Sequence, residues 1–295
     1  GNARTQMEDL SLGQLLQAAF ASDSGPLKRP IAMLSLSLER YFVGLDPFVM
    51  KATNVAIHVI NALLIFVLIR ALGRHYEQTH GRPFVVSVSA FAFLVALGWA
   101  VAPINLTGVL YVIQRMESLA SLFILLGLLA YVRGRLQLND GQRRGLFWIW
   151  GGLVGAAGLG VLAKESAVML PVYAIVIEWL FFGFGQPGSS QRRAMYLLFA
   201  VVLVVPGILG GGDRLLGVIA NPEFSGRPFD VYERLWTQAR VLWHYIAWIA
   251  VPSPERLSLY HDGFTISRGP LSPWTTLPAA IGIGLLAAIA VTLRH

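Results

Sequence analysis

Two short charged motifs interrupt a chain that is otherwise strongly apolar. The first stands between two apolar runs, and the second opens a third apolar run. Their polar side chains are Lys164 and Glu165 in the first motif, and Gln114, Arg115 and Glu117 in the second. Arginine offers a planar fork of donors that matches phosphate oxygens, and lysine offers a compact point charge. The motifs therefore predict an anion site with carboxylates beside it, although two mutually neutralising ion pairs would have the same composition.

A polar stripe runs along the first long apolar segment. Lys51, Asn54, His58 and Asn61 are separated by three, four and three positions, which places them on one face of a helix. Lipid cannot satisfy such groups, so we expect this face to look into a helix bundle. For the two asparagines we expect interhelical hydrogen bonds, whereas Lys51 and His58 are open to either a structural or a functional role.

Other polar positions could contribute to a site. His261 and Asp262 lie in a loop rich in Pro, Gly and Ser, where the pair could orient a base or contact a hydroxyl-rich ligand, or could simply be solvated. Arg29 directly precedes Pro30, which suits the first turn of a helix. Glu178 lies inside an apolar run and needs a partner there, which indicates a structural role.

The composition indicates the class of protein that carries these residues. Of the 295 residues, 55% are hydrophobic and 13% are charged, whereas a soluble domain has about 25% charged residues. The chain is therefore expected to be an integral membrane protein. Its net charge of +7 is spread over many loops, so it indicates membrane topology rather than nucleic-acid binding. The chain has no cysteine for a disulfide, zinc site or thiol nucleophile, and no P-loop for a nucleotide.

The hydropathy pattern predicts an all-α, polytopic membrane helix bundle with about seven spans. The expected spans are residues 47–72, 84–102, 110–132, 146–163, 166–184, 194–209 and 274–293. A helix over 231–251 carries charged residues and several tryptophans, so we interpret it as interfacial or re-entrant, with a spanning helix as the alternative. Amphipathic helices over 7–21 and 30–42 are too polar to span and are expected at the membrane surface.

The distribution of basic residues predicts the orientation. Loops 73–83, 133–145 and 185–193 are rich in Arg and poor in acids, which places them in the cytoplasm and both charged motifs at the extracytoplasmic face. The chain then divides into extracytoplasmic juxtamembrane helices over 1–45, a six-span membrane core over 46–212, extracytoplasmic loops with the helix 231–251 over 213–275, and a last span over 276–295.

Short motifs along almost the whole chain occur in the order of a known family. They are Gly25-Pro26-Leu27 with Arg29-Pro30, the stripe from Lys51 to Asn61, Tyr111-Val112-Ile113-Gln114-Arg115-Met116, Ala163-Lys164-Glu165, Gln238-Ala239-Arg240-Val241-Leu242-Trp243, His261-Asp262 and Ser267-Arg268-Gly269-Pro270. In these motifs the chain resembles the bacterial relatives of the TMTC-type membrane glycosyltransferases, in the GT-C class with the protein O-mannosyltransferases. Each motif is short, so the resemblance depends on their combined order and spacing.

The resemblance implies a GT-C-like enzyme of protein glycosylation in the bacterial inner membrane, with its active site at the periplasmic face. Such enzymes take a sugar from a polyprenyl-phosphate donor and pass it to an acceptor. The implied partners are the lipid bilayer, the polyprenyl-phosphate sugar and a protein or glycan acceptor, with no nucleic acid. No further cofactor is firmly implied, and a divalent metal is compatible with this chemistry.

By the same resemblance, the candidate site residues form two groups. Arg115 and Lys164 would hold the lipid phosphate, and Glu117 and Glu165 would orient those cations. The full phosphate-side group is Arg29, His58, Gln114, Arg115, Glu117, Lys164 and Glu165. The residues that would line the sugar or acceptor side are His261 and Asp262.

In the family, the acid that removes the acceptor proton normally follows the first span, immediately before a Gly-Asn-like stretch. This chain opens on Gly1-Asn2. We therefore expect the first span, a catalytic aspartate upstream of Gly1, and the later spans with their tetratricopeptide repeats to lie outside it. Within the chain, the remaining candidates for the catalytic carboxylate are Glu165 and Asp262.

Three alternatives stay open. A transporter or flippase of a lipid-linked or anionic substrate would also need basic groups in the bundle, but usually has broken helices and inverted repeats, neither of which the sequence shows. An O-antigen ligase or polymerase would use a polyprenyl carrier with a different pattern of spans. The third alternative is a purely structural membrane scaffold.

Overall fold

The structure is a computed structural model that describes residues 6–23, 25, 27–81, 83–185, 190–204, 229–251 and 263–293. In these ranges the regular structure is helical, and an isolated antiparallel bridge joins Gly269 and Ser272. The chain divides into two compact units, Gly1–Val202 and Leu203–His295. The all-α prediction is confirmed for the described part of the chain.

The helices are numbered in chain order. They are α1 (Leu12–Ala19), α2 (Pro30–Val43), α3 (Pro47–His80), α4 (Val88–Ala100), α5 (Leu106–Leu110), α6 (Arg115–Asn139), α7 (Gly145–Trp150), α8 (Ala157–Ala163), α9 (Leu170–Ile177), α10 (190–204), α11 (Val231–Ala250) and α12 (Thr276–Thr292). Wide π-helical turns connect α7 to α8 and extend α9, over Gly151–Ala156 and Glu178–Phe182. Short 3₁₀ turns precede α5, α6 and α9, at Pro103–Asn105, Val112–Gln114 and Glu165–Met169.

Four helical segments of the described chain are long and apolar enough to cross a membrane. They are Pro47–His80, Val112–Asn139, Gly145–Ala163 and Glu165–Phe182. The pair Val88–Ala100 and Pro103–Leu110 adds a fifth if it counts as one span bent by 48°. The described residues therefore contain four or five candidate membrane spans, and the expected total of about seven is not confirmed among them.

The differences from the expected spans have local causes. The span expected over 84–102 is broken, because Pro103 has no N–H to continue α4 and begins a new helical turn instead. Helix α10 is described only over 190–204, and α12 is apolar but has 17 residues. Helix α11 is long enough to span, but its charged side chains keep it outside the set of candidate spans.

A seam of glycines joins α6 to the antiparallel α7–α8 segment. A Cβ atom on Gly152 would lie 2.5 Å from the carbonyl oxygen of Gly127, and a Cβ atom on Gly134 would lie 2.5 Å from that of Gly145. Glycine alone permits backbones to approach this closely, as is common between membrane helices. The seam sets the register that brings the start of α6 beside the end of α8.

A buried ion pair joins the C-terminal part of α6 to the π-helical turn after α9. Arg135 and Glu178 are both fully buried, and two hydrogen bonds of 2.7 and 2.8 Å join them. The hydroxyl of Tyr131 donates to the same carboxylate. The predicted need of Glu178 for a partner is thus confirmed. Assigning Arg135 to a cytoplasmic loop was wrong, because α6 continues to Asn139.

Candidate functional site

Two ion pairs lie at the end of the bundle where α6 begins and α8 ends. The Nζ atom of Lys164 is 2.5 Å from Glu117, whose other carboxylate oxygen accepts a hydrogen bond of 2.8 Å from Ser166. The Nε and Nη2 atoms of Arg29 lie 3.1 and 3.0 Å from one carboxylate oxygen of Glu165. The four charged side chains are 20–42% exposed, so a ligand from outside the bundle can reach them.

The backbone around this cluster is held in unusual conformations. Lys28 and Arg29 are consecutive non-glycine residues with φ of 59° and 54°, a left-handed conformation that is uncommon for such residues. Gly25 in the same loop has φ of 76°, and a Cβ atom added there would overlap a carboxylate oxygen of Glu165. Lys164 is extended, with φ of −161° and ψ of 147°, so helix α8 ends before it. The loop before α2 is therefore folded directly against the turn after α8.

The cluster also gathers helix N-termini. Helix α2 begins after Arg29, α6 begins two residues before Glu117, and the turn into α9 begins after Lys164. The first N–H groups of a helix carry partial positive charge. The two cations and two acids of the cluster cancel in formal charge: Arg29, Lys164, Glu117 and Glu165. The partial positive charge of the N-termini is then not offset, so it makes the local electrostatic potential favourable for an anion.

Arg115 adjoins the cluster in sequence, but its side chain is fully buried. Its Nε atom donates to Asn54 at 2.8 Å, and its Nη2 atom donates to Glu39 at 2.5 Å and to the carbonyl of Met50 at 3.0 Å. Its Nη1 atom reaches Ser35 at 3.4 Å. All three nitrogens bind within the protein, so the geometry favours a role in holding α2 and α3 against α6. The expected contact of Arg115 with a phosphate finds no support in this arrangement.

The polar stripe of α3 binds the backbone around the broken span. The Nε2 atom of His58 lies 2.9 Å from the carbonyl oxygen of Ala100, and its ring stacks on Trp99 with centroids 4.6 Å apart. The side-chain amides of Asn54 and Asn61 donate to three carbonyls, those of Val109, Tyr111 and Ser118. The interhelical hydrogen bonds expected for the asparagines are confirmed, and His58 makes the same kind of contact. Lys51 is exposed.

The remaining candidates lie elsewhere. Gln114 is half-buried before α6 and makes no side-chain capping bond. His261 and Asp262 lie outside the described residues. In the second unit, Arg268 binds Glu233 at 2.8 Å, and this hydrogen bond, with one from the Asp230 backbone, holds the pKa of Glu233 below its ordinary value. No group of three or more metal-ligating His, Asp or Glu side chains occurs among the described residues, so a divalent metal stays a prediction.

Sequence reasoning missed Glu39 and Ser166, which complete the two polar networks. Glu39 follows Ser35 by four positions on α2, so both lie on one helical face and reach the same guanidinium. A buried arginine in an apolar bundle needs an acid, and this requirement was the signal that could have pointed to α2.

Comparison with known proteins supports a family link. The chain is 32% identical over 114 residues to protein O-mannosyl-transferase TMTC1 of Mus musculus, covering 39% of this chain and 11% of that protein. It is 30% identical over 105 residues to protein O-mannosyl-transferase TMTC1 of Homo sapiens, covering 36% of this chain and 10% of that protein. These matches indicate a distant link to the protein O-mannosyl-transferases.

The similarity covers only a small part of these relatives. The chain spans about a tenth of the length of the two curated relatives it matches. No protein-family model matches it, and no solved structure matches it. The apolar helices and the distant similarity together indicate a membrane protein and point towards a glycosyltransferase.

Proposed function

We propose that this protein is a GT-C-type membrane glycosyltransferase that moves a sugar from a polyprenyl-phosphate donor to a protein or glycan acceptor. The observation that carries the proposal is the partly exposed cluster of Arg29 and Lys164 at the N-termini of three helical segments, in a chain distantly similar to protein O-mannosyl-transferases. We place this cluster at the extracytoplasmic face, and in a bacterium this is the periplasmic face of the inner membrane.

The proposed step breaks the bond between the anomeric carbon and the phosphate oxygen of the donor. An acceptor hydroxyl oxygen bonds to that carbon, its proton passes to a carboxylate, and the lipid phosphate leaves with an additional negative charge. Lys164 bears two N–H groups beyond the one directed at Glu117, and these would stabilise the leaving phosphate. Arg29 would add to the positive potential while it holds Glu165.

The same contacts bear on the identity of the base. The hydrogen bonds from the Nε atom of Arg29 and the ion pair with its Nη2 atom stabilise the charged form of Glu165 and weaken it as a proton acceptor. The carboxylate that removes the acceptor proton is therefore proposed to be a residue other than Glu165, with Asp262 as the remaining candidate in this sequence. Glu165 then serves to position Arg29.

A transporter or flippase is the second candidate, and the broken span is the observation that favours it. Discontinuous helices are typical of transporters, where freed backbone groups bind substrate or ions near the middle of the membrane. Here the candidate pair Val88–Ala100 and Pro103–Leu110 is bent by 48°. However, the carbonyls of Ala100, Val109 and Tyr111 accept hydrogen bonds from α3, so these groups are occupied within the protein.

The test is transfer of radiolabelled sugar from a polyprenyl-phosphate donor by the full-length protein in proteoliposomes. We expect Lys164→Gln and Arg29→Gln to lower kcat/KM about 10²-fold, as loss of a charge-stabilising donor does elsewhere, and Lys164→Arg to retain more activity. The matched control is Arg74→Gln, an exposed arginine on α3. Unchanged rates in both cluster variants would contradict the phosphate role. Donor that crosses the bilayer without sugar transfer would establish the transporter instead.

A further inference from the structure

A polar pocket lies in the second unit, among residues 229–251 and 263–293. It has a volume of about 410 Å³ and opens between α11 and the start of α12. Its lining residues are Arg240, Trp243, His244, Thr275, Pro278 and Ala279. Nothing in the proposed transfer reaction uses this pocket, so it calls for a separate explanation.

The guanidinium of Arg240 is held rigidly at one side of the pocket. Its Nη1 atom donates to the carbonyl of Thr265 at 2.7 Å and to the hydroxyl of Ser267 at 3.3 Å. The ring of Phe264 lies 4.8 Å from the guanidinium carbon. Ser267 is itself buried, and its hydroxyl shares a hydrogen bond with that of Thr276. The Ser267 hydroxyl that accepts from Arg240 is therefore held in place as well. An arginine held in this way loses little conformational entropy on binding a ligand.

The remaining edge of Arg240 is open within the described part of the chain. Its Nε and Nη2 atoms make no hydrogen bond there, and no described carboxylate lies within ion-pair distance. These two N–H groups form the parallel fork that binds two oxygens of a phosphate. His244 follows Arg240 by four positions on the same helical face, and it makes ring contacts but no hydrogen bond with described residues.

The other walls of the pocket are rigid and apolar. The indole N–H of Trp243 donates to the carbonyl of Ala279 at 2.9 Å, which fixes the ring. A Cβ atom added to Gly282 would lie 2.7 Å from that ring, so the glycine allows α12 to pack against it. Pro278 and Ala279 complete a surface suited to carbon atoms rather than to charge. The pocket lining therefore suits a ligand with an anionic head beside a short apolar segment.

We propose that this pocket binds the phosphate group of an alkyl phosphate. The Nε–Nη2 edge of Arg240 and the imidazole of His244 contact the phosphate oxygens, and Trp243 with Pro278 packs against the first carbon atoms of the ester. The phosphate can come from a lipid headgroup or from a free phosphate, since both present the same oxygens. The proposal depends on the second unit alone and holds whether or not the cluster at Lys164 takes part in sugar transfer.

Photocrosslinking tests this proposal with the full-length protein in dodecyl maltoside, a detergent without phosphate. The probe is farnesyl monophosphate with a diazirine on its first isoprene unit, and mass spectrometry locates the labelled peptides. We expect label within residues 229–293 that unmodified farnesyl phosphate removes by competition and that farnesol does not. Competition by inorganic phosphate at similar concentration identifies a site for the free group, and competition by farnesyl phosphate alone identifies a lipid site. Equal competition by farnesol would overturn the proposal.

Variants of the pocket make the test specific. Arg240→Gln should lower labelling of 229–293 at least tenfold, the usual effect of losing a charge-assisted hydrogen bond, and Arg240→Lys should lower it less. His244→Gln removes a side chain without hydrogen bonds to the described residues, so its effect is separable from folding. Arg234→Gln, on the same helix outside the pocket, should label like the unmodified chain. Wild-type labelling in both Arg240→Gln and His244→Gln would refute the site. Probe attached to peptides around residue 164 would show binding at the Lys164 cluster, and this result is separate from labelling of residues 229–293.

Discussion

At the scale of residues, the cations at the site end of the bundle pair with acids from distant parts of the chain. The pairs are Arg29 with Glu165, Lys164 with Glu117, and Arg115 with Glu39. Exposure separates these pairs: the Arg115 side chain is 0% exposed, whereas those of Arg29 and Lys164 are 20% and 22% exposed. Burial therefore divides the cations into one that stabilises the bundle and two that a ligand can reach.

Gly25 provides a test of the contact between the loop and the site. Gly25→Ala forces a Cβ atom into the space of the Glu165 carboxylate, in addition to the cost of about 1–2 kcal/mol for a left-handed alanine. We expect both the melting temperature and the rate of sugar transfer to fall. Gly44→Ala is the matched control, since Gly44 has φ of 79° and nothing within 4 Å of its added Cβ. Equal transfer rates in the two variants would argue against a functional contact at Glu165.

Arg115 provides a test of the buried network. Arg115→Met leaves Glu39 buried without its cation, and loss of one partner of a buried pair costs about 3–5 kcal/mol of unfolding free energy. The double variant Arg115→Met with Glu39→Gln should recover part of this loss, because the uncompensated charge is gone. Denaturant unfolding in detergent measures both, with Arg74→Met as the exposed control. A loss below about 1 kcal/mol would show that the network does not stabilise the fold.

At the scale of elements, helix breaks and helix contacts arise from different residues. Pro103 ends the α4 segment, and α3 supplies side chains that bind the carbonyls around that break. The glycines between α6 and α7–α8 instead allow two backbones to touch, and this contact sets which residues of the two helices are level with each other. The meeting of Glu117 and Lys164 follows from that register.

The glycine seam predicts a contrast between neighbouring positions in one π-helical segment. Gly152→Ala places a methyl group 2.5 Å from the carbonyl oxygen of Gly127, so the helices must separate, at about 1–3 kcal/mol. Gly155→Ala should be nearly neutral, since nothing lies within 4 Å of a Cβ there. Thermal unfolding compares the two, and equal melting temperatures would contradict close packing along the seam.

At the scale of the whole molecule, hydropathy and charge predict that opposite ends of the first unit face opposite sides of a membrane. The turn after α6, at Asp140 and Gln142, is at the end rich in arginine, and Tyr111 lies at the end with the charged cluster. By the positive-inside rule we expect Gln142 on the cytoplasmic side.

This orientation can be tested by cysteine labelling without background reaction, because the chain has no cysteine of its own. Single variants Tyr111→Cys and Gln142→Cys, both at exposed positions, should react with a membrane-impermeant maleimide from opposite sides of sealed vesicles. Tyr111→Cys should react from the extracytoplasmic side, the side proposed for the site. Labelling of both variants from one side would contradict the proposed topology and the face assigned to the cluster.

Much of the architecture was predictable from local patterns in the sequence. The segments expected over 146–163 and 166–184 correspond closely to Gly145–Ala163 and Glu165–Phe182, because an apolar run of that length has few other stable conformations in lipid. The helix expected over 30–42 is α2, and its proline lies in the first turn as expected. The ends of helices were harder to predict, because α3 and α6 continue through polar residues that hydropathy assigned to loops.

The sequence by itself indicated a helical membrane protein with two short charged motifs beside its apolar runs, since composition and periodicity act over neighbouring residues. Only the tertiary structure decided which acid meets which cation. Arg29 and Glu165 are 136 positions apart, and Arg115 and Glu39 are 76 positions apart, so their pairing depends on helix register and loop conformation. For the same reason, the structure alone separates the buried Arg115 from the accessible Lys164, although both belong to similar charged motifs.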